Sequence, residues 1–227
     1  MQANSIVRSI LFLGFTASTI CLTGCTASSQ GLSSRGFDNL PATKPSDPKS
    51  QPANASAAPV INVDLSVDAA YAAIPHRRTA MDFSSSNLSE QDKRFLKVAF
   101  HVIDQAIRVR VSAYQHFSRG EVTSESISDL EKLIDYLQTT EAPSSLSRYQ
   151  STLLKALSDQ RAFFDEWRNE GRQFQYGNGQ TLGMHPRVQS ASSALKEAYG
   201  ILIVTYPGES NHNKLAFFDY HCALDFL

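Results

Sequence analysis

Apolar residues recur at the three- and four-residue spacing of an α-helix through most of the chain after residue 63, and no segment there alternates as a strand would. The clearest case covers residues 89–119, where Ser89 is a candidate N-cap and Gly120 a candidate stop. We expect Lys97, His101 and Asp104 on the outward polar face. The apolar positions that recur along this stretch are Phe95, Ala99, Val102, Ala106, Val109 and Ala113.

Three further helices follow from the same spacing. One begins near Thr123 and ends before Pro143, and the next covers about 145–173. Another begins near His185, with Pro186 in the first turn, where a missing N–H leaves no hydrogen bond unmade. Each carries an apolar stripe on one face, so each needs a neighbour to cover it.

A last helix and a short leading segment complete the predicted body. The last helix follows a cap at Ser210 or Asn211. Residues 64–78 contain a short helix broken by Pro75, which we interpret as a strap across the others. Gln160 lies on an apolar stripe, either as an interfacial amide with a bonded partner or as a residue that specifies register. The stripe of the last helix that we expect to face inward is Leu215, Phe218, Cys222 and Phe226.

These elements predict an all-α fold, an up-and-down bundle of about five helices preceded by a disordered tether. Residues 26–62 differ from the body in composition, since they hold five of the nine prolines and are otherwise mostly small and polar. Such a segment cannot bury enough apolar surface to fold. The predicted organisation is a signal segment over 1–24, a tether over 25–62 and a helical domain over 63–227.

The first residues have the layout of an export signal. Arg8 precedes an uncharged run from Ser9 to Leu22, and small residues follow. The run is shorter and more polar than the ~20 apolar residues that a membrane span needs. A short membrane anchor that stays attached is the alternative.

The sequence Leu22-Thr23-Gly24-Cys25 resembles the lipobox of bacterial lipoprotein precursors. The resemblance implies cleavage before Cys25, a diacylglycerol on its sulfur and an acyl group such as palmitate on the new amine. Two or three chains hold a protein stably on a membrane. Thr26 stands where this class carries Asp for inner-membrane retention, so in a cell with two membranes the resemblance implies the outer membrane, with the domain facing the periplasm.

Charge and cysteine content restrict the function. The formal net charge is −1, which does not supply the basic excess that nucleic-acid binding needs. With Cys21 removed and Cys25 lipidated, Cys222 is left alone in the mature chain and is expected to be a buried, inert thiol. No phosphate-binding or dinucleotide motif is present, so no cofactor is predicted.

Glu209 is the one catalytic candidate. Glu209-Ser210 resembles the Glu-Ser motif of the lytic transglycosylases, and the resemblance implies that Glu209 is a general acid acting on a glycan. The downstream Gly-Leu-Met-Gln element of that family is absent, and only 18 residues follow Glu209. The alternative is that Glu209 and Ser210 serve the start of a helix.

Two weaker clusters involve histidine. His221 and Asp225 are four residues apart and share a helix face, but a metal site would need a further ligand, so a surface His–Asp pair is favoured. Arg77 and Arg78 beside His76 form a small basic patch, which either pairs with an acid of the bundle or contacts anionic lipid or glycan.

Two functions remain open from the sequence. The first is a lipid-anchored envelope protein whose helical domain binds or scaffolds another envelope component, protein or glycan, without catalysis. The alternative is a peptidoglycan-active enzyme that uses Glu209. A Glu209 buried at the floor of a groove would favour the enzyme, and one exposed at a helix tip would favour the binding protein.

Overall fold

A computed structural model describes residues 57–74, 76–119, 121, 124–170 and 182–225. Within these ranges the chain forms six α-helices and one 3₁₀ turn at Leu182–Met184, and no strand. The lipobox, most of the tether and Phe226 lie outside the described residues. None of the described helices is both long enough and apolar enough to cross a membrane. The helices are α1 Val67–Ala73, α2 Glu90–Ser118, α3 Glu125–Thr139, α4 Ser147–Glu170, α5 Pro186–Thr205 and α6 Asn211–Leu224.

Local capping sets the helix starts where the sequence predicts them. The backbone N–H of Asp92 donates to Ser89 Oγ at 3.1 Å at the start of α2. Ser210 Oγ accepts from the N–H of Asn213 at 3.1 Å in the same way, and Pro186 occupies the first position of α5. The predicted helices are therefore confirmed to within a few residues at these ends. The candidate signals Gly120 and Thr123 lie outside the described residues.

Helices α2 to α6 pack in chain order, each against the next, and α6 also packs against α2. This closes the predicted bundle around one core. Gln160 is fully buried within it, and its Nε2 donates to the carbonyl oxygen of Leu224 at 2.7 Å. Gln160 is thus the interfacial amide with a bonded partner that the first of the two sequence interpretations predicted. The largest fully buried side chains include Tyr149, Phe163, Phe164, Phe217, Leu96 and Ile103.

The strap lies across α2. Ala70 and Tyr71 of α1 are buried, and the extended chain before α1 is held by Arg108, whose guanidinium donates to the carbonyl oxygens of Val63 (2.7 Å) and Leu65. These bonds fasten the strap to a helix that lies about 40 residues further along the chain. The strap therefore belongs to the folded body.

Asp104 is a correction to the sequence analysis. The helical pattern placed it on the outward face of α2, but it is buried beneath the strap. It accepts hydrogen bonds from Tyr71 Oη at 3.2 Å and Arg78 Nη2 at 2.8 Å, and burial raises the pKa of its carboxyl group. Arg78 also pairs with Asp68 at 3.0 Å, so this part of the basic patch does pair with acids of the body. Arg77 is exposed.

The rotation of α6 is a second correction. Leu215 and Phe218 were predicted to face inward, but they are exposed, and Cys222 is half-buried. Apolar residues of α6 occur on all sides of the helix, so hydrophobicity alone does not determine which side is buried. The helix is turned by about one residue position from the predicted orientation, so that Asn213 points into the body and bonds to Asp82 and Glu209. The buried residues of α6 are Asn213, Ala216, Phe217, Asp219, Tyr220, His221, Ala223 and Leu224.

Candidate functional site

Glu209 lies in the turn between α5 and α6, and only 6% of its surface is exposed. Its Oε1 accepts from Ser86 Oγ at 2.7 Å and from the backbone N–H of Asn87 at 3.0 Å. Its Oε2 accepts from Asn213 Nδ2 at 2.6 Å. The carboxylate therefore joins the segment before α2 to the turn before α6, which are more than 120 residues apart.

Asn213 extends this connection. Its Oδ1 accepts from the N–H of Asp82 at 2.9 Å, while its Nδ2 donates to the carbonyl oxygen of Asp82 at 3.1 Å. A single side-chain amide thus pairs with both the N–H and the carbonyl oxygen of Asp82. Asn213 is completely buried, so these hydrogen bonds replace the ones its amide would make with water. We call Ser86, Asn87, Glu209 and Asn213, with the backbone of Asp82, the loop–turn cluster.

This geometry assigns Glu209 a structural task. A general acid must carry a proton and point it at a substrate. Both oxygens of Glu209 instead accept hydrogen bonds from donors of the same chain, and neither of the two cavities described below is lined by it. Glu209 is buried, as the enzyme hypothesis requires, but its hydrogen bonds clamp the segment before α2 to the turn before α6. Its partners Ser86 and Asn87 were missed because no local pattern marks a contact over such a separation.

His221 is buried in the bundle, so the predicted surface His–Asp pair is wrong. Its Nδ1–H donates to the carbonyl oxygen of Phe217 at 2.6 Å, and its ring meets Tyr149 edge-on at 5.6 Å between centroids. Asp225 Oδ2 accepts instead from Ser192 Oγ at 2.7 Å. Burial lowers the pKa of His221 to about 4, so the imidazole is neutral at physiological pH.

No metal centre is formed by the described residues, which contain no group of three or more His, Cys, Asp or Glu side chains placed to hold an ion. Cys222 borders a small apolar groove of about 80 Å³ between α5 and α6. Partial burial raises the pKa of its thiol, which slows its reaction as a thiolate.

A polar cleft of about 490 Å³ opens between α4 and the start of α5, and we call it the α4–α5 cleft. Arg187 bridges two acids of α4, with Nη1 at 3.3 Å from Asp159 Oδ1 and Nε at 3.1 Å from Glu166 Oε1. His185 Nε2 lies 3.3 Å from Glu166 Oε2. No sequence pattern indicated this cleft, since its residues come from two helices that the segment 171–181 separates along the chain.

The cleft is held in shape by α5's own cap. His185 Nδ1 accepts the N–H of Arg187 at 3.0 Å, which leaves Nε2 as the protonated nitrogen that faces Glu166. Beside the cleft, Lys155 Nζ of α4 pairs with Asp159 Oδ2 at 2.7 Å and contacts Ser190 Oγ of α5. The cleft thus presents alternating acids and bases whose orientations are fixed by one another.

Comparison of the chain with protein-family models, with curated proteins and with solved structures found no match.

Proposed function

We propose that this protein is a lipid-anchored component of the cell envelope whose helical body binds another envelope component, protein or glycan, at the α4–α5 cleft. The anchor rests on the lipobox and on the proline-rich tether that separates it from the body. The binding role rests on the cleft. It is the larger of the two cavities, and the charged groups of Arg187 and Glu166 along it are each more than 40% exposed.

The chemistry of the cleft favours a polar, uncharged or zwitterionic ligand. The cations of Arg187 and Lys155 are matched by the carboxylates of Asp159 and Glu166, so the cleft offers donors and acceptors side by side without a large net charge. Sugar hydroxyls and peptide groups need that mixture, because each presents both donors and acceptors. Catalysis by Glu209 has less support, since its carboxylate is occupied by the loop–turn cluster.

The anchor is tested by fractionating cells that express Cys25→Ala. We expect the variant to leave the membrane pellet or to accumulate as unprocessed precursor, while the matched Cys21→Ala variant behaves as the parent. A processed Cys25→Ala protein that still pellets with membranes would refute the lipid anchor.

The cleft is tested by placing a photoreactive amino acid at Ser190, which borders it, and at Ser128, which is exposed on α3. Illumination of intact cells should give an adduct from position 190 and none from 128, and Arg187→Ala should reduce it. Muramidase treatment of the adduct separates a glycan partner from a protein. Equal labelling at both positions, or an adduct that is indifferent to Arg187→Ala, would show that the cleft is not the binding site.

A further inference from the structure

The outward face of the α5–α6 pair carries apolar side chains that nothing in the described body covers. Val204 is 80% exposed, Phe218 44% and Leu215 38%. Between the two helices runs the small apolar groove that Cys222 borders, and the Phe218 ring stands beside it against Tyr199, with centroids 5.6 Å apart. We call this surface the outer α5–α6 face. Its principal residues are Lys196, Gly200, Val204, Leu215, Phe218 and Asp225.

Gly200 is the feature that points to a close partner. It lies well inside α5, where glycine is less favourable than alanine. A Cβ built at this position meets no atom of the described residues within 4 Å, so packing within the described body does not require glycine. An approach from outside the chain does explain it, because the missing side chain leaves a recess on the surface.

The charges on the face identify that partner. Lys196 of α5 and Asp225, directly after α6, border the groove together. Contact between Tyr199 and Phe218, and the short turn that joins the helices, show that α5 and α6 run antiparallel with residues 196 and 225 at one end and 204 and 215 at the other. The face therefore carries one cation on α5 and one anion just after α6. Asp225 Oδ2 accepts from Ser192 Oγ at 2.7 Å, so the two charges are offset by about one helical turn, a distance that the long Lys196 side chain spans.

We propose that the outer α5–α6 face is the interface of a two-fold homodimer of this chain. With the two-fold axis parallel to the helices, α5 of one copy lies against α6 of the other at the same level. Lys196 of each copy then faces Asp225 of the other copy, which gives the two equivalent contacts of a self-complementary interface. Phe218 enters the recess above Gly200, and Val204 packs on Leu215. This dimer does not depend on the lipid anchor or on the α4–α5 cleft.

The first test uses light scattering to measure the molar mass of the purified full chain in mild detergent, with the micelle mass subtracted. We expect twice the chain mass, and Phe218→Glu should raise the dissociation constant about tenfold or more. The matched control is Met184→Glu, an equally exposed apolar residue away from this face, which should leave the mass unchanged. A monomeric parent at about 100 μM, a concentration at which even a weak specific dimer forms, would overturn the dimer and leave the face to a different apolar partner. Equal effects of both variants would also overturn it.

The second test uses charge reversal in trans. Lys196→Glu and Asp225→Lys should each weaken self-association, because like charges then meet at both symmetric contacts. An equimolar mixture of the two variants should form heterodimers, since both contacts again join opposite charges. A pair acting only within one chain cannot be repaired by mixing, so failure of the mixture to dimerise would refute the proposed arrangement.

The third test concerns Gly200. Gly200→Gln should abolish the dimer while the thermal midpoint of the monomer stays equal or rises, because the new side chain meets open space and favours the helix. Dimerisation equal to that of the parent would show that no partner approaches Gly200.

Discussion

The loop–turn cluster and the outer α5–α6 face both involve α6, but polar side chains are buried in the first and apolar side chains are exposed on the second. The cluster buries a carboxylate and an amide, Glu209 and Asn213, while the face exposes Leu215 and Phe218. In the cluster, Oε1 of Glu209 accepts from Ser86 in a distant part of the chain, and Oε2 accepts from Asn213, four residues further along. The comparison shows that the side of α6 that is buried depends on where hydrogen-bond partners meet it as well as on hydrophobicity.

The neighbouring phenylalanines of α6 give the largest test of this comparison. Phe217 is fully buried beside Phe100, at 6.0 Å between centroids, so Phe217→Ala should lower the free energy of unfolding by about 3–5 kcal/mol. Phe218→Ala should cost about 1 kcal/mol or less in the monomer, because the ring keeps only surface contacts. Urea denaturation followed by circular dichroism measures both. Similar losses for the two variants would contradict the observed rotation of α6.

Removal of the clamp at Glu209 is the next largest effect expected. Glu209→Ala leaves the donors of Ser86, Asn87 and Asn213 without their acceptor, which should cost about 3 kcal/mol. The matched control is Glu197→Ala, an exposed acid of α5 paired with Arg148, for which a change within about 0.5 kcal/mol is expected. Thermal and urea unfolding compare them. A Glu209→Ala protein as stable as this control would show that the cluster does not hold the loop.

The buried imidazole of His221 should make stability depend on pH. The folded chain keeps this group neutral down to about pH 4, whereas in the unfolded chain it binds a proton below its ordinary pKa of 6.5. Stability should therefore fall as the pH drops from 6.5 to about 4, by up to roughly 3 kcal/mol. Burial also lowers the pKa of His185, which adds to the same slope.

The variant His221→Gln removes this titration and should flatten the dependence of unfolding free energy on pH, as measured by urea titrations at several pH values. His101→Gln, at an exposed position of α2, serves as the matched control and should retain the slope. If both variants keep the slope of the parent, burial of His221 does not cause it.

The smallest effect concerns Cys222, which lies between the buried and exposed sides of α6. Cys222→Ala should cost about 1 kcal/mol or less, because part of the side chain already contacts solvent. A thiol reagent should label the native protein measurably, but more slowly than the denatured protein, since partial burial raises the thiol pKa. Complete protection in the native state would place the residue in the core, as the sequence pattern predicted.

Features that depend on neighbouring residues could be predicted from the sequence. The starts of α2, α5 and α6 follow from Ser89, Pro186 and Ser210, because a cap acts on backbone groups within one turn. The all-α class follows from the spacing of apolar residues, which is set by the helix repeat itself. The lipobox is equally local, and the lipid anchor it implies stays a prediction.

Only the tertiary structure decided how these helices are turned and what their polar groups do. Asp104 is buried because the strap brings Tyr71 and Arg78 over it, and the helical pattern of α2 contains no information about a segment elsewhere in the chain. Glu209 became a clamp for the same reason, since its partner Ser86 lies more than 120 residues away. Apolar periodicity settles a helix face only where one side is clearly more apolar. On α6 both sides are apolar. The buried side is the one on which Asn213 can hydrogen-bond to Asp82, a partner that only the tertiary fold brings near it.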